Sequence, residues 1–299
     1  EVSFDPQADV YVPAHILSAL PSPGFVRRPN TLYALVVTDA VRDSSGVSLG
    51  RSKTFHEAFE GIAGDAETQA HFTALRAQLT RDEFNSDRVV AATVFTTADP
   101  DVLLKKLAAW GEAQPVPELS QPWTLSDNQV DGAAYKLFTA EVQMPRIQLG
   151  RPPFARPDEG RIAWDANGNP DIQKHQAMRL VLAVPTQTQP AAGYPITIYA
   201  HGSGGEWMQV VNRGPKEERD DAPSPPPGSG PSEWLARRGV ATLGFDFPLH
   251  GARHSPSDTT GLMLYNLTGN AAGTIANFNV SAMELLFLSR LVLQAQLPL

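Results

Sequence analysis

The stretch Y-P-I-T-I-Y-A-H-G-S-G-G at residues 194–205 constrains the chain most. Residues 196–200, I-T-I-Y-A, are β-branched, aromatic or small. They read as a strand buried on both faces, as in a parallel sheet. The run stops at His201-Gly202-Ser203-Gly204-Gly205. Glycines permit a sharp turn and bring bare N–H groups close to a ligand. A strand ending in such a loop sets it at the carboxyl edge of a sheet, where open α/β folds bind ligands. The pattern leaves three uses open: a phosphate cradle, an oxyanion cradle or a tight turn.

A second strand follows at 240–247, V-A-T-L-G-F-D-F, with the loop P-L-H-G-A-R-H at 248–254. Between the two strands, residues 211–232 combine a charge cluster with a Pro/Gly/Ser tail, which predicts a mobile surface insertion. Residues 231–238 predict a short helix, opened by Pro231 and stopped by Gly239. Residues 280–296 predict a long helix, apolar nearly all round and therefore buried. Upstream, 135–142 and 175–184 are strands, with an Asn167-Gly168 turn between them. The order strand, loop, helix, strand, loop, helix predicts a parallel sheet with right-handed crossovers.

Residues 1–112 form a different module. Strands are predicted at 31–40 and 88–97, and helices at 66–79 and after Asp99-Pro100. Phe72, Leu75 and Leu79 share one helix face; Leu103, Leu107 and Trp110 share another. This reads as a small β-sandwich-like domain with a helical insertion. Residues 113–133, with Pro115, Pro117 and Pro122, are the expected linker. The remainder, 134–299, is the second domain, and 299 residues suit two domains.

The net charge of −8 argues against nucleic acid or an anionic membrane as partner. No cysteine is present, so disulfides, thiolate metal sites and a Cys nucleophile are excluded. No unbroken apolar run reaches ~18 residues, so no transmembrane segment is expected. The first residues, E-V-S-F-D, carry no targeting pattern and read like the middle of a β domain. A chain cut at both ends is the expectation.

H-G-S-G-G lacks both the Lys-Ser/Thr ending of a P-loop and the spacing of G-x-G-x-x-G. An oxyanion cradle fits better, because acyl transfer develops charge that fixed N–H donors stabilise. A literal G-x-S-x-G at Gly46–Gly50 has no strand-to-helix context and reads as a chance match. His250 and His254 are four apart, flanked by Asp246 and Asp258, but Pro248 and Gly251 break the helix a two-His metal face needs. His56, His71 and His175 read as satisfied or exposed histidines. The sequons at Asn266 and Asn279 are weak patterns.

P-I-T-I-Y-A-H-G-S-G-G, followed by W-L-A-R-R-G-V-A-T-L-G-F-D-F-P-L-H-G-A-R, resembles the strand–helix–strand section of an α/β-hydrolase that carries the oxyanion loop. R-P-N-T-L-Y-A-L-V-V-T-D-A-V-R-D and V-F-T-T-A-D-P resemble the N-terminal β module of large bacterial esterase- and lipase-like proteins. The resemblance implies an α/β fold: a partial hydrolase sheet preceded by a small β-rich domain. It implies that the backbone N–H of Gly202 or Ser203 holds an oxyanion, that His201 orients the loop, and that Gly204 and His250 lie beside the pocket. The family places its nucleophile after the following strand, so Ser203 is not expected to be it.

By the same resemblance, the Ser, acid and His of the reaction lie beyond Leu299. The chain is then the amino-terminal part of an exported serine carboxylic-ester hydrolase, inactive alone, acting on a small-molecule or lipid ester. Its partner is the rest of the hydrolase domain, and neither cofactor nor metal is required. Two further readings stand beside it: a non-enzymatic cell-envelope binding protein with a degenerate hydrolase domain, and a peptidase of the same fold.

Overall fold

Two short antiparallel ladders carry the first of two units, Glu1–Pro100. The computed structural model describes residues 2–10, 12–215, 223–254, 263–294 and 297–298. Strands β1 (Val2–Asp5) and β2 (Ile16–Ala19) pair with each other, and β1 is exposed along its length. The second ladder pairs β3 (Leu32–Thr38) with a strand at Val89–Thr96. Helices α1 (Lys53–Phe59) and α2 (Ala66–Arg81) lie between them in sequence, so the later strand is β4.

Ser52 and Asp65 cap the two helices, accepting from the N–H groups of Phe55 and Thr68. Leu75 and Leu79 of α2 pack with Phe59 and Val89, as their helical spacing predicts. Phe55, Phe59 and Phe72 add ring-to-ring contacts. The expected sandwich is corrected. Helices cover the β3–β4 ladder: the apolar stripe of α2 packs on Val89, Val36 and Val94, while β1 is exposed along its length.

The second unit is Asp101–Leu299, so the boundary lies earlier than the expected 112. Helix α3 (Asp101–Ala113) belongs to it: Leu107 is fully buried in its core, with Leu103 and Trp110 packed alongside. The expected linker at 113–133 contains strand β5 (Leu119–Leu125). Proline-rich spacing conceals this strand, because Pro122 sits on an edge where no ladder bond is lost.

Strands β6 (Tyr135–Arg146) and β7 (Lys174–Pro185) pair over their full length, from Tyr135↔Pro185 to Arg146↔Lys174. Strand β8 (Ile196–Tyr199) is followed by helices α4 (Gln209–Asn212) and α5 (Pro231–Ala236), and then by β9 (Ala241–Phe245). The sheet order is β5-β6-β7-β9-β8. Only β8 and β9 are parallel; the other pairings are antiparallel, so the sheet is mixed rather than parallel. Strand β9 is buried throughout, whereas β8 is half-buried. The full burial expected of 196–200 fails because β8 has one neighbour among the described strands.

Alternation along β7 feeds two cores. Met178, Leu180 and Leu182 face α3 and α6 (Leu267–Gln294); Val181 and Ala183 face Val210, Val211 and Ala236 of α4 and α5. Helices therefore cover both faces of a mixed sheet, an α/β architecture. The chain before α4 passes close over β9 at Gly244, where a Cβ would stand 2.3 Å from the Trp207 carbonyl oxygen. Gly244→Ala is expected to cost about 1–3 kcal/mol by overpacking, read as a lower urea midpoint.

The expected insertion at 211–232 is ordered at both ends: Val211 and Ser232 are buried. Residues 216–222 lie outside the described residues. Helix α6 begins earlier than the expected 280, and residues 295–296 lie outside the described residues. Its start is bent at Asn270 (φ −155°, ψ 69°), whose side chain donates to the carbonyls of Phe154, Arg156 and Glu159.

Burial of α6 is one-sided: Val280, Met283, Phe287, Leu288 and Leu291 are in the core, while Ile275, Phe278 and Leu293 are exposed. The unbroken-run criterion does not register this helix, since Glu284 and Arg290 interrupt it. By length and composition it nevertheless meets the requirement for a membrane span, with 44 % of that window buried.

Candidate functional site

Parallel pairing of β8 and β9 brings the loops that follow them to one edge of the sheet. The first is His201–Gly205, the second Asp246–Arg253. His201 joins them. Its Nε2 accepts the Phe247 backbone N–H at 3.2 Å, which leaves Nδ1 as the protonated nitrogen, 2.9 Å from the Gly202 carbonyl. The ring is buried among Phe245, Phe247 and His250, with centroid separations of 6.1, 5.0 and 4.9 Å.

Burial lowers the His201 pKa from 6.5; His250 pushes the same way, while the Gly202 carbonyl and Asp246 oppose it. A ring held neutral with both nitrogens engaged is a strut between loops, not a proton relay. The unfolded chain takes up the proton first as pH falls. His201 therefore contributes full stability above pH 6.5, and loses it as pH drops through its lowered folded value. In urea titrations from pH 7 to 5, His201→Asn is expected to flatten that dependence.

The glycines have separate reasons. Gly204 has φ +74°. At Gly205 a Cβ would stand 2.7 Å from His201 Nδ1 and 2.8 Å from the Gly202 oxygen, so no side chain fits. Its N–H closes the turn on that same oxygen at 3.0 Å. Gly202, Ser203 and Gly204 are exposed, and their N–H groups donate to no acceptor among the described residues. Among the described residues they are a row of unspent donors at the sheet edge.

Ser203 Oγ meets the Tyr265 hydroxyl, in the 3₁₀ turn Met263–Tyr265 before α6. No histidine contacts it among the described residues. Among the described residues Ser203 thus meets no base of the kind a nucleophile needs.

The second loop is built on Asp246, which is fully buried. Its carboxylate accepts the Trp207 N–H at 2.9 Å and Arg179 Nε at 2.8 Å, with the Ala252 N–H at 3.4 Å. Gly251 has φ +51°, and a Cβ there would stand 2.0 Å from Asp246 Oδ1. Arg179 lies over the Trp207 ring at 4.7 Å. Nearby Glu206 has its pKa raised by burial and by Asp246, against the pull of Arg179.

Arg253 ties the loop to the core. It donates to the Asp246 carbonyl at 3.0 Å and to both oxygens of Glu284 at 2.6 and 2.7 Å. The arginine and glutamate side chains are 3 % and 1 % exposed. His250 is buried, with Nδ1 2.9 Å from the Pro248 carbonyl.

His201, Gly202, Ser203, Gly204 and His250 thus meet at one sheet edge. His254 is exposed and faces the Gly251 carbonyl. Asp258 lies outside the described residues. Among the described residues no three His, Asp or Glu side chains gather as a metal site.

Sequence reasoning missed Tyr265, Arg179 and the Arg253–Glu284 pair. Glu284 had a signal, as the only acid in the apolar segment 267–294. Such a lone acid in a buried helix demands a partner. A cavity of about 300 Å³ lined by Val116, Leu119, Pro145, Ile172, His175 and Phe287 involves none of these loop residues. Comparison of the chain with family models, characterised proteins and solved structures gives no match.

Proposed function

We propose that this chain is the amino-terminal part of an exported serine carboxylic-ester hydrolase, and that its 201–205 loop supplies the oxyanion hole. The observation that carries the reading is the row of unspent N–H donors at Gly202–Gly204, held at the carboxyl edge of β8 by the His201 strut. In the reaction, a serine elsewhere in the protein attacks the ester carbonyl and a histidine takes its proton. The carbonyl oxygen becomes an oxyanion. The Gly202 and Ser203 N–H groups then donate to it more strongly than to the ground-state carbonyl, which lowers the barrier.

The strand context and the parallel β8–β9 pair support a hydrolase sheet that continues past β8, with the serine, acid and histidine following α6 in the chain. No cofactor enters this chemistry. The test is hydrolysis of p-nitrophenyl acetate and butyrate. Chain 1–299 alone is expected to give no turnover above the buffer rate, and the natural gene product containing it is expected to be active. Turnover by 1–299 that disappears in Ser203→Ala would instead make Ser203 the nucleophile and overturn the proposal.

A further inference from the structure

Away from the loop pair, the last rung of the β6–β7 ladder sets Arg146 directly opposite Lys174. Opposed residues of an antiparallel pair leave the sheet on the same face, and like charges placed so repel. Arg151, in the loop after β6, adds a third cation to the same cavity, which is completed by Gly150, Pro152 and Gln173 and has a volume of about 490 Å³. Among the described residues no carboxylate lines it, although the chain carries 32 acidic against 24 basic residues.

Two acids close by in the chain are engaged elsewhere: Glu159, packed against Gly150, pairs with Arg156, and Asp171 accepts from Gln173. Among the described residues none of the three cations has a salt-bridge partner, and Arg146 Nε is buried without a hydrogen bond. Burial accordingly lowers the Arg146 pKa. A half-buried guanidinium facing a lysine, with neither neutralised, is an arrangement that folding alone disfavours and an anion would relieve.

We infer that this cavity binds a small organic phosphate, whose phosphate group lies between Arg146, Lys174 and Arg151. A phosphate monoester carries close to two charges and three acceptor oxygens, which matches three cations better than a single carboxylate does. Guanidinium groups offer the paired donors that phosphate oxygens take. The volume exceeds that of a phosphate group and leaves room for an organic portion. The site shares no residue with the 201–205 loop, so it stands or falls independently of the hydrolase reading.

Calorimetric titration of the full chain with inorganic phosphate and with phenyl phosphate, at matched ionic strength in chloride, tests it. Binding of both is expected, phenyl phosphate at least as tightly as inorganic phosphate. Affinity is expected to fall at least tenfold in Arg146→Gln and in Lys174→Glu, and to be unchanged in Lys105→Gln, an exposed lysine on α3. Lys174 is exposed, so its variant keeps the fold, checked by circular dichroism. The Lys174→Glu variant should also melt higher in phosphate-free buffer, because it turns a repulsive rung into an attractive one.

Absence of binding to the unmodified chain, or binding that survives Lys174→Glu, would overturn the site. A lower melting temperature for Lys174→Glu would remove its electrostatic premise. Inorganic phosphate bound with phenyl phosphate excluded would overturn the organic ligand.

Discussion

Glu284→Ala is expected to destabilise the second unit by about 3–5 kcal/mol, the usual cost of leaving one member of a buried ion pair alone. Arg253 and Glu284 meet through two short bonds with almost no solvent contact. Removing the carboxylate leaves a guanidinium that cannot shed its charge, inside a core of leucine, methionine and phenylalanine. Among the described residues its remaining contacts are the Asp246 carbonyl at 3.0 Å and Gln176 at 3.4 Å, and its Nε has no partner there.

Replacing both residues, as Arg253→Met with Glu284→Leu, is expected to cost far less than the single change, because no charge is then buried. Urea unfolding of the two variants separates the readings. Equal losses would mean that the bridge itself supplies net stability. The same pair decides how the second loop sits: Arg253 holds the Asp246 backbone, and Asp246 holds Trp207. Glu284→Ala should therefore also loosen the edge that presents Gly202–Gly204.

The second large effect concerns that edge and rests on the proposed chemistry. In the active gene product, Ser203→Pro is expected to lower kcat for ester hydrolysis by about 10²–10³, the cost of one oxyanion donor. Proline deletes the N–H while leaving the loop near the same place in the chain. Ser203→Ala keeps the N–H and should change kcat only a few-fold. Gly202→Ala should be tolerated in structure, since nothing lies within 4 Å of the added Cβ. Equal losses in the alanine and proline variants would move the role from the Ser203 backbone to its hydroxyl.

The amino-acid pattern carried the elements well where burial is periodic. The α2 stripe of Leu75 and Leu79 and the strand patterns of β6 and β7 were all legible, because each pattern is local to one element. The N-terminal boundary was not. The α3 residues Leu103, Leu107 and Trp110 announce an amphipathic helix, but their spacing says nothing about which core they join. Pro122 likewise masked β5, whose edge position is a property of the sheet.

For the candidate site, the sequence alone placed strands at 196–200 and 240–247, close to the observed Ile196–Tyr199 and Ala241–Phe245, together with the glycines and the histidines beside them. Local backbone demands choose those residue types. Tertiary structure decided what each does. His201 is a strut rather than a base because Phe247, 46 residues further on, donates to its Nε2. Ser203 stands against Tyr265, and Asp246 binds Trp207 and Arg179, across separations of 39 to 67 residues. Strand order had the same origin: β7 lies between β6 and β9, and β8 is left on the outside, through pairings between distant segments. A local pattern reports what one segment needs to bury. Which distant partner satisfies that need is settled only when the segments pack together.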